Sequence, residues 1–114
     1  MIGLIAVLFM LAEQPEPQPE LIRATVYTGG THTATGKEVR EGYVAYSPEY
    51  YGMTCILYTE NWEYIGIYEC QDTGGSRVRS GQVVDVYCDT LDECYEWVAE
   101  NGEYVYIQWI DAEG

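Results

Sequence analysis

Two aspartates within residues 70–88, CQDTGGSRVRSGQVVDVYC, are the residues best suited to chemistry in this sequence. Asp72 precedes a Gly-Gly pair, and Asp85 lies between valines in VVDVY. A carboxyl group can donate a proton at neutral pH when an apolar site or a neighbouring carboxylate raises its pKa. Asp85, with its apolar neighbours, is therefore the better candidate for a general acid, and Asp72 is the candidate partner.

Other groups that could act as nucleophiles or metal ligands give weaker signals. His32 is the only histidine, and its Gly/Thr-rich surroundings predict an exposed loop position. Enzymes of the Ser-His or Cys-His type are therefore disfavoured. The four cysteines contain no C-x-x-C pair, so a zinc site has little support. We expect neither a metal nor a cofactor.

The cysteines are even in number, and four allow three disulfide connectivities. We predict Cys55–Cys70, at the open end of a hairpin, and Cys88–Cys94, around the start of a helix. Cys70–Cys88 is disfavoured by strand parity. Cys70 lies two residues before Asp72 and is expected on the same strand face as that aspartate. Cys88 lies three residues after Asp85 and is expected on the opposite face. The alternative is four reduced, partly buried thiols.

The charge balance limits the partners of the chain. Its 114 residues, enough for one domain, include 19 acidic and 5 basic residues, for a net charge of −14. Nucleic acid and anionic membrane surfaces are therefore disfavoured, because both require a basic patch. The 12 tyrosines and 3 tryptophans are predicted to be mostly strand residues, with a few lining a sugar-binding groove.

The N-terminal 20 residues differ in composition from the remainder. Residues 2–12 are uninterruptedly apolar but too short for an integral membrane span, which takes about 20 residues. They match the core of a signal peptide without its basic flank; a membrane anchor or a buried strand or short helix are the alternatives. The Pro-rich stretch 13–20 predicts an extended linker. We therefore expect a secreted or cell-envelope location and one domain over 21–114.

The patterning of that domain predicts about six strands and one helix. Loops are expected at 29–42 and around Arg77 and Arg79, whose charges are predicted to be solvated. Thr90 and Glu93 form a capping box for a helix over about 91–101, and Gly102 ends it. The strands are expected at 21–28, 43–47, 55–70 (a hairpin), 82–88 and 103–110. This composition predicts a small β-barrel or sandwich.

The DTGG motif at 72–75 also occurs in a different kind of enzyme. A D-T-G loop supplies one carboxylate of the aspartic protease dyad, and the chain length is compatible with a dimerising half-protease. However, Gly75 follows the motif where that family has a small hydroxyl residue or alanine. No apolar-apolar-Gly segment follows downstream. A dimeric aspartic protease is thus the weaker alternative.

The combined motifs resemble the three-aspartate domain family, which is related to the barrel of membrane-bound lytic transglycosylase A and to stationary-phase muralytic proteins. The resemblance covers residues 23–110 and implies a double-psi β-barrel that cleaves the glycan strand of peptidoglycan. The motifs are ATVYT (24–28), TATG (33–36), YVAYSP (43–48), DTGG (72–75), SG (80–81) and VVDVY (83–87).

The resemblance also implies roles for individual residues. Asp72 matches the second aspartate of the family, and Asp85 matches the third, which is taken as the catalytic acid/base. Ser47 occupies the position of the first aspartate, so this chain retains two of three. A non-catalytic glycan-binding or scaffold module is therefore the main alternative to an enzyme.

The remaining expectations concern substrate contacts. Gly74 and Gly75 are predicted to allow positive φ and close approach of a substrate, or to serve turn geometry alone. Thr73, Ser47 and Tyr87 are further candidates for substrate binding. The expected partner is a peptidoglycan glycan strand, and we expect the protein to be a monomer.

Overall fold

A computed structural model describes residues 19–110 of the chain. The apolar run 2–12 and most of the predicted linker lie outside the described residues. A 3-10 turn, Pro48–Tyr50, follows β2. The two helices are α1, a single turn at Ser76–Arg79, and α2, Leu91–Asn101. The strands are β1 Glu20–Tyr27, β2 Tyr43–Ala45, β3 Thr54–Thr59, β4 Tyr64–Asp72, β5 Val83–Tyr87 and β6 Tyr104–Ile110.

The six strands close into a barrel in the order β1-β5-β2-β4-β3-β6. Two pairs are parallel, β1 with β5 and β2 with β4, and the other four pairs are antiparallel. The prediction of a small all-β barrel with one helix near 91–101 is confirmed. The double-psi arrangement that the resemblance implies stays a prediction.

The barrel interior is the main hydrophobic core. Val44, Leu57, Val84 and Val105 are each 0% exposed there, and each such side chain contributes roughly 1.5–3 kcal/mol by leaving water. Along β5, Val84 and Val86 belong to this core. Successive strand residues point to opposite faces, so Val83, Asp85 and Tyr87 project outward.

A second, smaller apolar cluster lies on the outer face of the barrel. It consists of Ala45, Val78 and Val83, with Tyr27 packed against it. Val78 is the buried residue of α1, so this contact attaches the segment that the sequence analysis treated as a loop. The short helix therefore lies beside β5, the strand that carries Asp85.

The helix α2 begins and ends where its sequence predicts. The Thr90 hydroxyl accepts a hydrogen bond of 3.1 Å from the Glu93 amide, as an N-cap residue should. Gly102 ends the helix with φ +83°, a conformation that glycine adopts without strain. No helix within residues 19–110 combines the length and apolarity needed to cross a bilayer.

Candidate functional site

The two aspartates lie in one row across three neighbouring strands. Ala45 of β2 pairs with Asp72 of β4 on one side and with Asp85 of β5 on the other. Adjacent strands are about 4.8 Å apart, so the two aspartate backbones are about 10 Å apart. Because the residue between them is alanine, both carboxylates can reach the outer face of the barrel at the same place.

A β-bulge in β4 directs Asp72 to this face. Val44 pairs with Cys70, but the next residue of β2, Ala45, pairs with Asp72, so Gln71 is the extra residue. Cys70 lies in the barrel core, and the bulge reverses the alternation after it. The predicted parity, with Cys70 and Asp72 on one face, is therefore wrong. The argument against a Cys70–Cys88 pair loses its premise.

Asp72 accepts three hydrogen bonds. The backbone amides of Ala34 and Thr73 both donate to Oδ1 at 2.9 Å, and the Tyr27 hydroxyl donates to Oδ2 at 3.1 Å. All three partners are donors, as a carboxylate acceptor requires. Asp72 thereby joins the loop after β1, the strand β1 itself and the turn after β4.

Asp85 has a different environment. Thr25, its register partner on β1, donates a hydrogen bond of 2.9 Å from its hydroxyl to Oδ1. Burial raises the pKa of Asp85, the Thr25 hydrogen bond lowers it, and the charge of Asp72 raises it further. The net direction is upward, so Asp85 keeps its proton to higher pH than an ordinary aspartic acid.

Tyr27 and Thr25 are site residues that the sequence analysis missed. Burial, followed by the charge of Asp72, raises the pKa of Tyr27 well above its usual range, so its hydroxyl remains a donor. The signal was present in ATVYT, where Thr25 and Tyr27 alternate on one strand face. The parallel pairing of β1 with β5, which brings that face to Asp85, is not evident from local sequence.

The positive φ predicted for the glycines after Asp72 is wrong, and close approach of a substrate to them stays a prediction. Neither Gly74 nor Gly75 has positive φ, and Gly75 has φ −67°. A methyl group at Gly74 would lie 3.5 Å from Val78, an ordinary contact, so the packing of α1 does not require glycine there. The neighbouring Thr73 hydroxyl is buried and has no hydrogen-bond partner among residues 19–110.

Ser47 and Tyr87 are both buried, 9% and 8% exposed. Ser47 precedes the 3-10 turn, and the amide of the residue before it, Tyr46, donates 3.0 Å to the Asp72 carbonyl. Tyr87 packs edge-on against Tyr27, with ring centroids 5.4 Å apart. Both residues therefore adjoin the aspartate row, and their contact with substrate stays a prediction.

A cavity of about 490 Å³ opens on the outer face beside Thr25, the hydrogen-bond partner of Asp85. The α1 turn forms one wall of this cavity, and β1 and β5 form the others, so the turn flanks the site and leaves it open on this side. Thr25 lines the cavity and donates to the Asp85 carboxylate, whereas Asp85 itself is not part of the lining. Its lining residues are Arg23, Thr25, Gly75, Ser76, Arg77, Val78 and Val83.

All four cysteines are buried free thiols in this structure, and neither predicted disulfide is formed. Burial raises the pKa of Cys55 to about 12 and that of Cys70 to about 11. Burial, followed by its contact with the Cys94 thiol, raises the pKa of Cys88 to about 12. Neutral thiols with such values are poor nucleophiles and metal ligands. Their oxidation in a secreted protein stays a prediction.

One group of carboxylates outside this site has a spacing suited to a cation. Carboxylate oxygens of Glu41, Asp89 and Glu93 lie within 4.8 Å of one another. The Glu93 carboxyl group, through a hydrogen bond, is the main cause that raises the pKa of Glu41. None of these three acids belongs to the aspartate row.

No protein-family model matches the chain, and no curated protein matches it in sequence. The likeness to the three-aspartate family therefore rests on the motifs, and membership of that family is a proposal. The structure establishes a closed six-stranded barrel with two aspartates in one row, a hydroxyl donor to each of them, and a cavity beside Thr25.

Proposed function

We propose that this barrel is a three-aspartate domain that cleaves the glycan strand of peptidoglycan by the lytic transglycosylase reaction. The observation that carries the proposal is the environment of Asp85. Its pKa is raised, mainly by burial, it is mounted within a strand, and a cavity opens beside its Thr25 partner. A proton donor for a glycosidic oxygen needs these properties.

The proposed reaction needs only one carboxyl group. Asp85 donates its proton to the oxygen that leaves C1 of the cleaved sugar, and the C1–O bond breaks. The resulting Asp85 carboxylate then takes the proton from the C6 hydroxyl of the same sugar, and that oxygen bonds to C1. The product is a 1,6-anhydro sugar, no water is consumed, and Asp85 regains its proton.

Asp72 serves this reaction without touching the transferred proton. Its negative charge raises the pKa of Asp85, which favours the acid form before bond cleavage. Its three hydrogen bonds fix its position within the aspartate row. Ser47 in place of the first aspartate is tolerable, because the one-carboxyl mechanism does not require a third acid.

A second candidate is a glycan-binding domain without catalysis. The observation that favours it is the complete engagement of Asp72 with loop and strand donors, which is how a structural carboxylate is used. In that case Asp85 would be a half-buried polar group bonded to Thr25, and the groove would bind a glycan without cutting it.

Incubation with purified peptidoglycan, followed by mass analysis of the soluble fragments, separates these functions. Release of anhydro-muropeptides by the wild type, and none by Asp85→Asn, is the expected result. Fragments with ordinary reducing ends would indicate a hydrolase, and fragments cut only in the peptides would indicate the protease alternative. Binding without release of fragments would support the glycan-binding domain. The proposal places the protein outside the cytoplasm, where this substrate is found.

A further inference from the structure

The cavity beside the aspartate row has a charge opposite to that of the chain. The chain carries 19 acidic and only 5 basic residues, yet two of those five, Arg23 and Arg77, line this one cavity. They come from different elements, β1 and α1, and no acidic residue is among the cavity's lining. Thr25 and Ser76 add hydroxyl groups to the same walls.

We propose that this groove, defined by Arg23, Thr25, Ser76 and Arg77, binds a carboxylate group carried by the glycan substrate. The inference rests on the proposed function for the identity of the polymer, and it adds the chemical feature by which the polymer is recognised. A guanidinium group presents paired N–H donors that match the two oxygens of a carboxylate. The Ser76 hydroxyl can donate to the same anion, whereas the Thr25 hydroxyl already donates to Asp85.

Electrostatics explain why a local basic site is needed. An anionic polymer is repelled by a chain with a net charge of −14. At physiological ionic strength, however, charges in solvent are screened beyond about 8 Å. The polymer therefore responds mainly to the side chains that it touches, and these two arginines give it an attractive contact beside Asp85.

The two arginines differ in how free they are to bind. The Arg23 guanidinium already contacts Glu103 at 3.1 Å, but both side chains are about half exposed, 48% and 60%. Exposed ion pairs contribute little to stability, so a substrate carboxylate can replace Glu103. Arg77 has no salt bridge among residues 19–110, which makes it the stronger contact.

Sedimentation binding to insoluble peptidoglycan tests the proposal, with Asp85→Asn as the parent protein so that the polymer stays intact. Arg77→Ala should weaken binding about tenfold, the loss of one charge-assisted contact. Arg79→Ala is the matched control, because Arg79 lies in the same exposed turn but does not line the cavity; it should bind as the parent does. Glu103→Gln, which frees Arg23, should strengthen binding.

The second arm changes the ligand. Peptidoglycan whose carboxyl groups have been converted to amides should bind the parent about tenfold more weakly, and Arg77→Ala should cause no further loss on it. Equal effects of the two arginine substitutions, unchanged binding to the amidated polymer, or no binding to the native polymer would each overturn the inference. Carboxylate-dependent binding without cleavage by the wild type would overturn the proposed function alone.

Discussion

The two aspartates occupy the same row of the barrel but are held in opposite ways. Asp72 ends β4 beyond a bulge and accepts three hydrogen bonds from two amides and a phenol. Asp85 lies inside β5 and accepts one, from Thr25. The first carboxylate is tied to the loops around it, whereas the second is less satisfied, and its pKa is raised chiefly by burial.

This difference assigns structure and chemistry to different residues. A carboxylate that accepts several hydrogen bonds from loops and strands contributes to folding. A carboxyl group that is shielded from water and has one hydrogen-bond partner is better suited to exchange a proton near neutral pH. The sequence already favoured Asp85 as the general acid because of its valine neighbours, but it did not show how firmly Asp72 is held.

The largest expected effect is on catalysis by Asp85→Asn. The amide preserves the shape and can accept from Thr25, but it cannot donate a proton to the leaving oxygen. Release of anhydro-muropeptides should fall at least ~10²–10⁴-fold, with little change in melting temperature. Asp89→Asn, at an exposed position four residues away, is the control and should keep full activity. An unfolded Asp85→Asn protein would show that this carboxylate holds the barrel together.

The same substitution should alter the pH dependence of stability. The pKa of Asp85 in the folded state lies above its ordinary value of 3.8, so the unfolded chain loses this proton first as pH rises. The contribution of Asp85 therefore makes the wild type less stable as pH rises from about 3.8 through the raised pKa. Denaturant titrations of wild type and Asp85→Asn should diverge over that window, with the variant relatively more stable above it.

The next largest effect is expected on the free energy of unfolding, which should fall more as more hydrogen bonds to an aspartate are removed. Asp72→Ala leaves three donors without their acceptor and should lower the free energy of unfolding by about 1–3 kcal/mol. Tyr27→Phe removes one of those bonds and should cost about 0.5–1.5 kcal/mol. Asp85→Ala, which affects only the Thr25 bond, should cost less than Asp72→Ala. Urea denaturation measures all three, and the reverse order for the two alanine variants would refute the division of roles.

A smaller effect should appear in the pH profile of cleavage. The rate should fall on the alkaline side as Asp85 loses its proton. Asp72→Asn removes a charge that raises the pKa of Asp85, so this fall should move to lower pH. Thr25→Val removes a bond that lowers the same pKa, so the fall should move to higher pH. Shifts in one common direction would show that neither neighbour acts on Asp85 as described.

The smallest effect is expected from Ser47→Asp, which restores the third aspartate of the family pattern. The backbone next to this position bonds Asp72, so a short carboxylate is expected to fit with the barrel folded. Its charge should raise the pKa of Asp85, and cleavage should persist to slightly higher pH. Loss of the folded state in circular dichroism, or an unchanged pH profile, would place Ser47 apart from the site.

Much of the fold follows from local patterns in the sequence. Alternation predicted the strands of the barrel, and β5 shows why, because Val84 and Val86 face the core while Asp85 faces outward. The Thr90 cap and Gly102 marked the ends of α2, since caps depend on residues adjacent in the chain. The short α1 was missed, because four residues carry no period and only Val78 packing on the barrel secures it.

The candidate site, like the fold, could be predicted only in part from local sequence patterns. Composition and local pattern show which carboxylates are available and that Asp85 has valine neighbours. That the two carboxylates share a face follows from the tertiary structure, because a single extra residue in β4 reverses the direction of Asp72. It also supplied Thr25, Tyr27 and the arginine-lined groove, through a parallel pairing of β1 with β5. Strand register and bulges arise from contacts between residues distant in sequence, and no local pattern encodes them.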